Sequence, residues 1–272
     1  MITSTSNAQI KYIQQLMKKA KIRRENGVFV VEGIKMFREA PEDRIVKVYA
    51  SSGFLSIPEN RESLKEKGVD PEGELFEEVE DKVFKNLSDT VTPQGILCII
   101  RQKSCPLSYM LQTEETGRVP LFMILEDLQD PGNLGTIIRT AEGAGVSGII
   151  MSKGCVDLYN PKVIRSTMGS VYRMPVLSVE SIPDILPQLR AEGVRTYAAH
   201  LKGQNSYDRE NFKEKTAFFI GNEGNGLSEE LSAQADCLIR IPMAGQVESL
   251  NAAMAAGILM YEASRQRREK EV

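Results

Sequence analysis

The sequence predicts an α/β protein whose larger, C-terminal part is built on a mostly parallel sheet, preceded by a smaller α/β domain. Strand-like apolar runs recur at 120-PLFMILE-126, 148-GIIMS-152, 195-RTYAAH-200, 216-TAFFIG-221 and 237-CLIRIP-242, separated by helix-like segments. That alternation is the mark of a parallel sheet covered by helices on both faces. The runs are continuously apolar instead of alternating, as strands buried on both sides require. Three glycine-punctuated segments, 125-LEDLQDPGNLGTIIRTAEGAG-145, 218-FFIGNEGNGLSEEL-231 and 239-IRIPMAGQVESLNAAMAAG-257, place Asn133, Arg139, Glu223, Ser249 and Asn251 at or just beyond the ends of such runs. Open α/β sheets build their ligand crevices there.

Taken in order, the first element is an amphipathic helix from Asn7 to Ala20, with Ile10, Ile13 and Leu16 on one side. Lys11, Lys18, Lys19, Lys21, Arg23 and Arg24 all precede the first acidic residue, Glu25, and form a basic patch suited to nucleic acid. The plainer reading, a solvated helix face, stays open beside it. A strand at 28-VFVVEG-33, a helix around Ile34 to Glu39 and a strand at 45-IVKVYAS-51 follow. The charged stretch from Ile57 to Gly73 reads as an exposed excursion, 80-EDKVFKNLSD-89 as a short helix and GILCIIRQ as a strand. Near residue 104 the composition turns polar, with prolines at both ends of the stretch, which places a domain boundary there: 1–104, a linker at 105–118, and 119–272. The final helix, from about Glu248 to Arg268, is Ala-rich at its start and basic at its end, an order that complements the helix dipole.

Composition narrows the function. The chain has 272 residues, 42% of them hydrophobic, enough for two domains with real cores. A net charge of −3 argues against a uniformly basic nucleic-acid coat and leaves room for a local patch. Cys98, Cys105, Cys155 and Cys237 form no C-x-x-C pair, and His200 is the one histidine, so no metal site is expected. Reduced thiols, no signal peptide and no apolar run of membrane length point to a cytoplasmic protein. His200, which ends a strand-like run, reads as a loop or capping residue.

A dinucleotide loop is the obvious competitor, because 143-GAGVSG-148 matches G-x-G-x-x-G. It follows a helix and leads into a strand, the reverse of what phosphate binding at a helix N-terminus needs, so its glycines read as a helix cap. The loop 221-GNEGNG-226 sits between strand and helix, yet Glu223 would put an anion where a phosphate should rest. Such a loop suits a neutral or cationic ligand that approaches the backbone closely.

These segments resemble the SpoU (TrmH-type) RNA ribose 2′-O-methyltransferases of the SPOUT superfamily. Asn133, Gly135 and Arg139 match an N-x-G-x-x-x-R element, Gly221 to Ser228 a G-N-E-G-x-G-L-S element, and Ile241, Pro242, Met243, Gly245, Ser249, Leu250 and Asn251 an I-P-M-x-G-x-x-x-S-L-N element. The stretch 165-RSTMGSVYRMPV-176 resembles the family's segment between the first two motifs, and the N-terminal opening resembles the substrate-binding domain of many members. The resemblance implies a trefoil-knotted C-terminal domain, a homodimer, and S-adenosylmethionine as methyl donor with no metal. It implies cofactor contacts at Gly221, Asn222, Ile241, Met243 and Leu250, and reaction roles for Asn133, Arg139, Glu223, Ser249 and Asn251. It assigns RNA binding to the N-terminal domain, where Lys11, Lys18, Lys19, Lys21, Arg23 and Arg24 are the candidates, and favours large-subunit ribosomal RNA over transfer RNA. A guanidinium stays protonated, so Arg139 suits a grip on an RNA phosphate better than proton removal. Other roles stay open: Asn133 and Ser249 as helix caps, Arg139 as an exposed helical residue, Glu223 as a dipole partner.

Overall fold

A computed structural model of the chain describes residues 1–88, 90–112 and 117–268. The chain divides into two compact units, one of residues 1–103 with 157–172, the other of 104–156 with 173–272.

In the first unit, α1 (Ala8–Lys18) buries the expected stripe of Ile10, Ile13 and Leu16, and Asn7 caps it by accepting the Gln9 N–H at 2.8 Å. The helix expected to reach Ala20 stops earlier. Lys19 is extended (φ −121°, ψ 109°) and separates a second helix, α2 (Ala20–Asn26), which Gly27 closes in the left-handed region at φ 62°. In chain order follow β1 (Val28–Glu32), α3 (Ile34–Glu39), β2 (Ile45–Ser51), α4 (Ser52–Leu55), α5 (Pro58–Glu66), β3 (Phe76–Val79), α6 (Asp81–Lys85) and β4 (Ile96–Arg101). The sheet order is β1-β4-β2-β3, antiparallel except for the β2–β3 pair.

Both faces of this sheet are covered. Val28, Val30, Leu97 and Ile99 pack with the α1 stripe on one side, while Phe29, Val31, Ile96, Cys98 and Ile100 pack with Phe37, Leu64 and Val69 on the other. Full burial of one such Leu or Ile is worth about 2 kcal/mol, so these layers carry the unit. The stretch from Ile57 to Gly73 is therefore not simply an exposed excursion. Pro58 starts α5, and Leu64 and Val69 reach the core. β3 went unread because FEEV carries two glutamates; as an edge strand it does not need continuous apolar residues.

In the second unit the sequence runs through α7 (Leu107–Leu111), β5 (Leu121–Leu125), α8 (Pro131–Ala144) and β6 (Gly148–Ser152). After α9 (Pro161–Thr167), which belongs to the first unit, come β7 (Val176–Val179), α10 (Leu186–Ala191), β8 (Arg195–Ala199), β9 (Asn205–Ser206), β10 (Thr216–Ile220), α11 (Glu229–Ala233), β11 (Cys237–Arg240) and α12 (Ala252–Arg268). All pairs in this sheet are parallel and its order is β7-β6-β5-β10-β8-β11-β9. The mostly parallel α/β fold read from the apolar runs is thus the observed one. One face packs Phe122, Ile124, Ile150 and Phe219 against Leu186, Leu189 and Leu231; on the other, Phe218 meets Tyr197 and Phe212, and α12 lies along α8 and β10.

Within the stretch expected as a linker, Cys105, Leu107 and Met110 are buried in the second unit's core, and 113–116 lie outside the described residues. Residues 157–172, between β6 and β7, belong to the first unit: Ile164, Val171 and Tyr172 join its core and the Tyr172 hydroxyl donates to the Met36 carbonyl at 3.0 Å. Gly145 caps α8 at φ 77°, the role expected for the GAGVSG glycines. His200 Nδ1 accepts the Lys202 N–H at 3.0 Å, a loop bond of the kind expected.

Candidate active site

The three glycine-punctuated segments meet at the carboxyl ends of β5, β10 and β11. Asp130 begins α8 by accepting the Asn133 N–H at 2.8 Å, with Pro131 at the first helical position where no N–H is missed. Glu223 lies over that helix start. Its Oε2 accepts the Gln129 N–H at 3.0 Å, and its Oε1 accepts the Asp130 N–H at 2.9 Å and the Asn133 Nδ2–H at 3.0 Å. Asn133 Oδ1 in turn accepts from Asn251 Nδ2 at 2.9 Å, and Asn251 Oδ1 accepts the N–H groups of Ala253 and Met254 at 2.9 and 3.3 Å. One hydrogen-bonded chain, Asn251 to Asn133 to Glu223 to the α8 N-terminus, therefore joins all three motifs.

This geometry decides between several readings. Asp130 caps α8 and Asn251 caps α12, so neither Asn133 nor Ser249 is the cap. Glu223 does face a helix N-terminus, where a carboxylate is favoured. Partial burial pushes its pKa up, but the hydrogen bonds from Asn133, Gln129, Asp130 and its own backbone outweigh that and hold it below the usual carboxylate range. The carboxylate therefore stays ionised at neutral pH. Its contribution is present above the ordinary carboxylate range and is lost as pH falls through the depressed value.

The second loop is fixed by its own backbone. Asn222 and Gly226 exchange N–H···O bonds at 3.0 and 2.9 Å, and Asn222 Oδ1 accepts the N–H groups of Gly224 and Asn225 at 2.8 and 3.1 Å. At Gly221 an added Cβ would stand 2.1 Å from the Gly226 carbonyl carbon, so no other residue fits without moving the loop. Glu126, at the end of β5, accepts both the backbone N–H (2.7 Å) and the hydroxyl (2.6 Å) of Ser228, and Ser228 caps α11 by accepting the Leu231 N–H. Ile241, Met243 and Leu250 are half-buried at the same end of the sheet.

Arg139 is exposed on α8 and has no hydrogen bond or ion pair among the described residues; the same holds for the Ser249 hydroxyl. Both are free to meet a ligand. The hydrogen-bond chain does not reach them.

In the first unit Lys11, Lys18, Lys19, Lys21 and Arg24 are exposed. Arg23 departs from the expected RNA-binding set. It is 3% exposed, donates to the carbonyls of Leu16 and Met17, and forms an ion pair with Asp157, its Nε lying 2.9 Å from Oδ2. A guanidinium spent on these partners cannot also hold RNA. Sequence reading passed over Glu126, Asp127, Gln129 and Asp130, although the Asp-Pro pair before α8 is a legible helix start, and it held Ser228 only as the end of the second motif.

The SpoU rRNA Methylase family model matches residues 120–261, and the model of the MRM3-like substrate binding domain matches residues 7–98. The chain is 31% identical over 261 residues to the 23S rRNA guanosine 2′-O-methyltransferase RlmP of Bacillus subtilis, covering 96% of this chain and 97% of that one. It is 31% identical to the human mitochondrial rRNA methyltransferase 3, covering 96% of this chain and 73% of that protein. Among solved structures, the AdoMet-bound rRNA methyltransferase of Sinorhizobium meliloti aligns with a TM-score of 0.83 at 34% identity over 97% of each chain. AviRb of Streptomyces viridochromogenes, in complex with AdoMet, aligns with a TM-score of 0.83 at 26% identity over 96% of this chain and 99% of that one. The chain belongs to the SpoU rRNA methylase family.

Proposed function

We propose that the protein transfers a methyl group from S-adenosylmethionine to a ribose 2′-hydroxyl of structured RNA, with large-subunit ribosomal RNA as the substrate. The observation that carries this reading is the Asn251–Asn133–Glu223 chain, which draws all three motifs to one end of the parallel sheet and leaves Arg139 and Ser249 free beside it. The names of RlmP and of the human mitochondrial enzyme favour ribosomal RNA.

The residues suit the methyl donor. Close backbone at Gly221, the half-buried side chains of Ile241, Met243 and Leu250, and an ionised Glu223 in place of a cation fit a flat, apolar and positively charged ligand. When bound, S-adenosylmethionine supplies a methyl group already activated by its sulfonium. Nothing in that chemistry calls for a metal. Gly221, Asn222, Ile241, Met243 and Leu250 hold the donor, largely through backbone and apolar packing. Arg139 grips a phosphate beside the target ribose with its planar guanidinium. Ser249 offers a hydroxyl to the ligands, while Asn133, Glu223 and Asn251 keep the loops in register so that the reacting oxygen and methyl meet in line. Such alignment is worth several kcal/mol, about 7–11 in well-oriented intramolecular reactions.

The domain division at 1–104 and 119–272, the knot and the homodimer belong to the same reading. Met254 and Tyr261, 60% and 48% exposed, lie seven residues apart on α12 with half-buried Ile258 between, an apolar stripe suited to a second copy. The exposed Lys11, Lys18, Lys19, Lys21 and Arg24 supply the charge for RNA. The ribosomal RNA in the name of the bacterial relative RlmP favours work in the cytoplasm, and no helix among the described residues is long and apolar enough to cross a membrane.

Arg139→Ala tests the reading. It abolishes methyl transfer to RNA and leaves S-adenosylmethionine affinity, measured by calorimetry, nearly intact; unchanged turnover in a labelled-methyl assay overturns it.

A further inference from the structure

Asp127 stands just before the loop that Glu223 grips, and its backbone is left-handed at φ 51°. Apart from glycines, only Met168 shares that region among the described residues. An L side chain holds this conformation where surrounding contacts enforce it, aspartate more readily than most. Here the contacts come from the loop after β6. Ser152 Oγ accepts the Asp127 N–H at 2.8 Å and donates its own hydrogen to Asp127 Oδ1 at 2.6 Å. Gly154 faces the same carboxylate so closely that an added Cβ would lie 2.0 Å from Oδ1.

The turn acts on Glu223 from two directions. Its carbonyl accepts Asn222 Nδ2–H at 2.8 Å, which fixes the residue immediately before Glu223. It also sets the course of the next residues, whose N–H groups at Gln129 and Asp130 bind the Glu223 carboxylate. Leu128 between them is pinned as well: its N–H points to Cys155 Sγ at 3.3 Å and its carbonyl accepts the Val156 N–H at 2.8 Å. The loop after β6 thus serves as a backing plate for the loop after β5.

We propose that Asp127 is a positioning residue for methyl transfer, its carboxylate locked by Ser152 so that the left-handed turn aims the Gln129 and Asp130 amides at Glu223. The proposal rests on the methyltransferase reading of the site and adds a pair outside the three motif sets named above.

Four variants of the full chain separate the parts of the device. Asp127→Gly keeps the left-handed turn accessible and removes the carboxylate; Ser152→Ala removes the hydroxyl; Asp127→Asn keeps both an acceptor and tolerance of positive φ; Asp127→Ala loses both. Single-turnover methyl transfer to RNA falls about tenfold in Asp127→Gly and Ser152→Ala, about a hundredfold in Asp127→Ala, and stays within about threefold of the parent in Asp127→Asn. The Asp127→Gly/Ser152→Ala double variant falls no further than Ser152→Ala alone, because that single change already removes both the bond to the carboxylate and the bond from the residue 127 N–H. S-adenosylmethionine affinity and thermal midpoint stay close to the parent's. Amide hydrogen exchange over residues 126–134 quickens in Asp127→Gly and Ser152→Ala but not in Asp127→Asn. Parent-like rates in Asp127→Gly and Ser152→Ala, additive losses in the double variant, or an Asp127→Asn rate as low as that of Asp127→Ala overturn the proposal. A parent protein that transfers no methyl to RNA refutes the functional reading instead, and the exchange pattern then decides the positioning claim alone.

Discussion

Replacing Glu223 by glutamine tests whether the carboxylate holds the three motifs together. Glu223 accepts N–H groups from Gln129, Asp130 and Asn133 at 3.0, 2.9 and 3.0 Å. Glutamine keeps one oxygen, which can retain Asp130 and Asn133 as neutral bonds. Its amide group then faces the Gln129 N–H, donor against donor. Charge-assisted bonds contribute about 1.5–3 kcal/mol each and neutral ones about 1, but Glu223 is exposed and water offsets most of the difference, leaving a net loss of about 1 kcal/mol. For a chain of this size that lowers the thermal midpoint by only about 2–4 °C. The effect on rate is larger, because a shift of about 1 Å at aligned reactants costs on the order of a hundredfold. The assay is single-turnover transfer of labelled methyl to RNA, with donor affinity and thermal midpoint measured on the same preparation. A pH arm adds sign: the parent's rate declines in acid as Glu223 takes up its proton below the usual carboxylate range, whereas Glu223→Gln has no such decline to show. A rate within about threefold of the parent, with the acid decline intact, refutes the reasoning.

The remaining predictions concern the rest of the frame. Asp157→Ala strands the buried guanidinium of Arg23 and lowers stability by about 3 kcal/mol in urea unfolding, whereas replacing exposed Lys18, Lys19 and Lys21 changes it by less than about 0.5 kcal/mol each. The same lysine changes weaken RNA binding and flatten its salt dependence in a titration of Kd against salt; an unchanged slope removes the patch from the RNA interface. Gly221→Ala forces the loop against Gly226 and weakens S-adenosylmethionine binding at least about tenfold by calorimetry, with parent-like affinity contradicting the tight-backbone account.

The strands at the centre of both sheets were legible because burial on both faces leaves continuous apolar runs. The edge strands β3 and β7 were not. FEEV and VLSV are only partly buried, and their places depend on neighbours that sequence periodicity does not encode. The site residues were legible as motifs, but their partnerships were not: Asn133 meets Glu223 across 90 residues of chain and Asn251 across 118. Arg23 shows the same limit from the other side. Among six basic residues it looked like one more solvated cation, until the fold brought Asp157 to it from 134 residues away. That pairing also bears on how the N-terminal unit can be probed. Deleting residues 1–103 would uncover Ile164, Val171 and Tyr172, so point changes at the exposed lysines are the cleaner test.

The central claim is the chemistry itself. Purified protein, incubated with S-adenosylmethionine carrying a labelled methyl group and with large-subunit ribosomal RNA, followed by nuclease digestion and mass spectrometry of the nucleosides, tests it most directly. The account predicts label on the ribose of a single 2′-O-methylated nucleoside, absent when Arg139→Ala replaces the parent. Label on a base, or none on RNA from a protein that binds the donor, contradicts it.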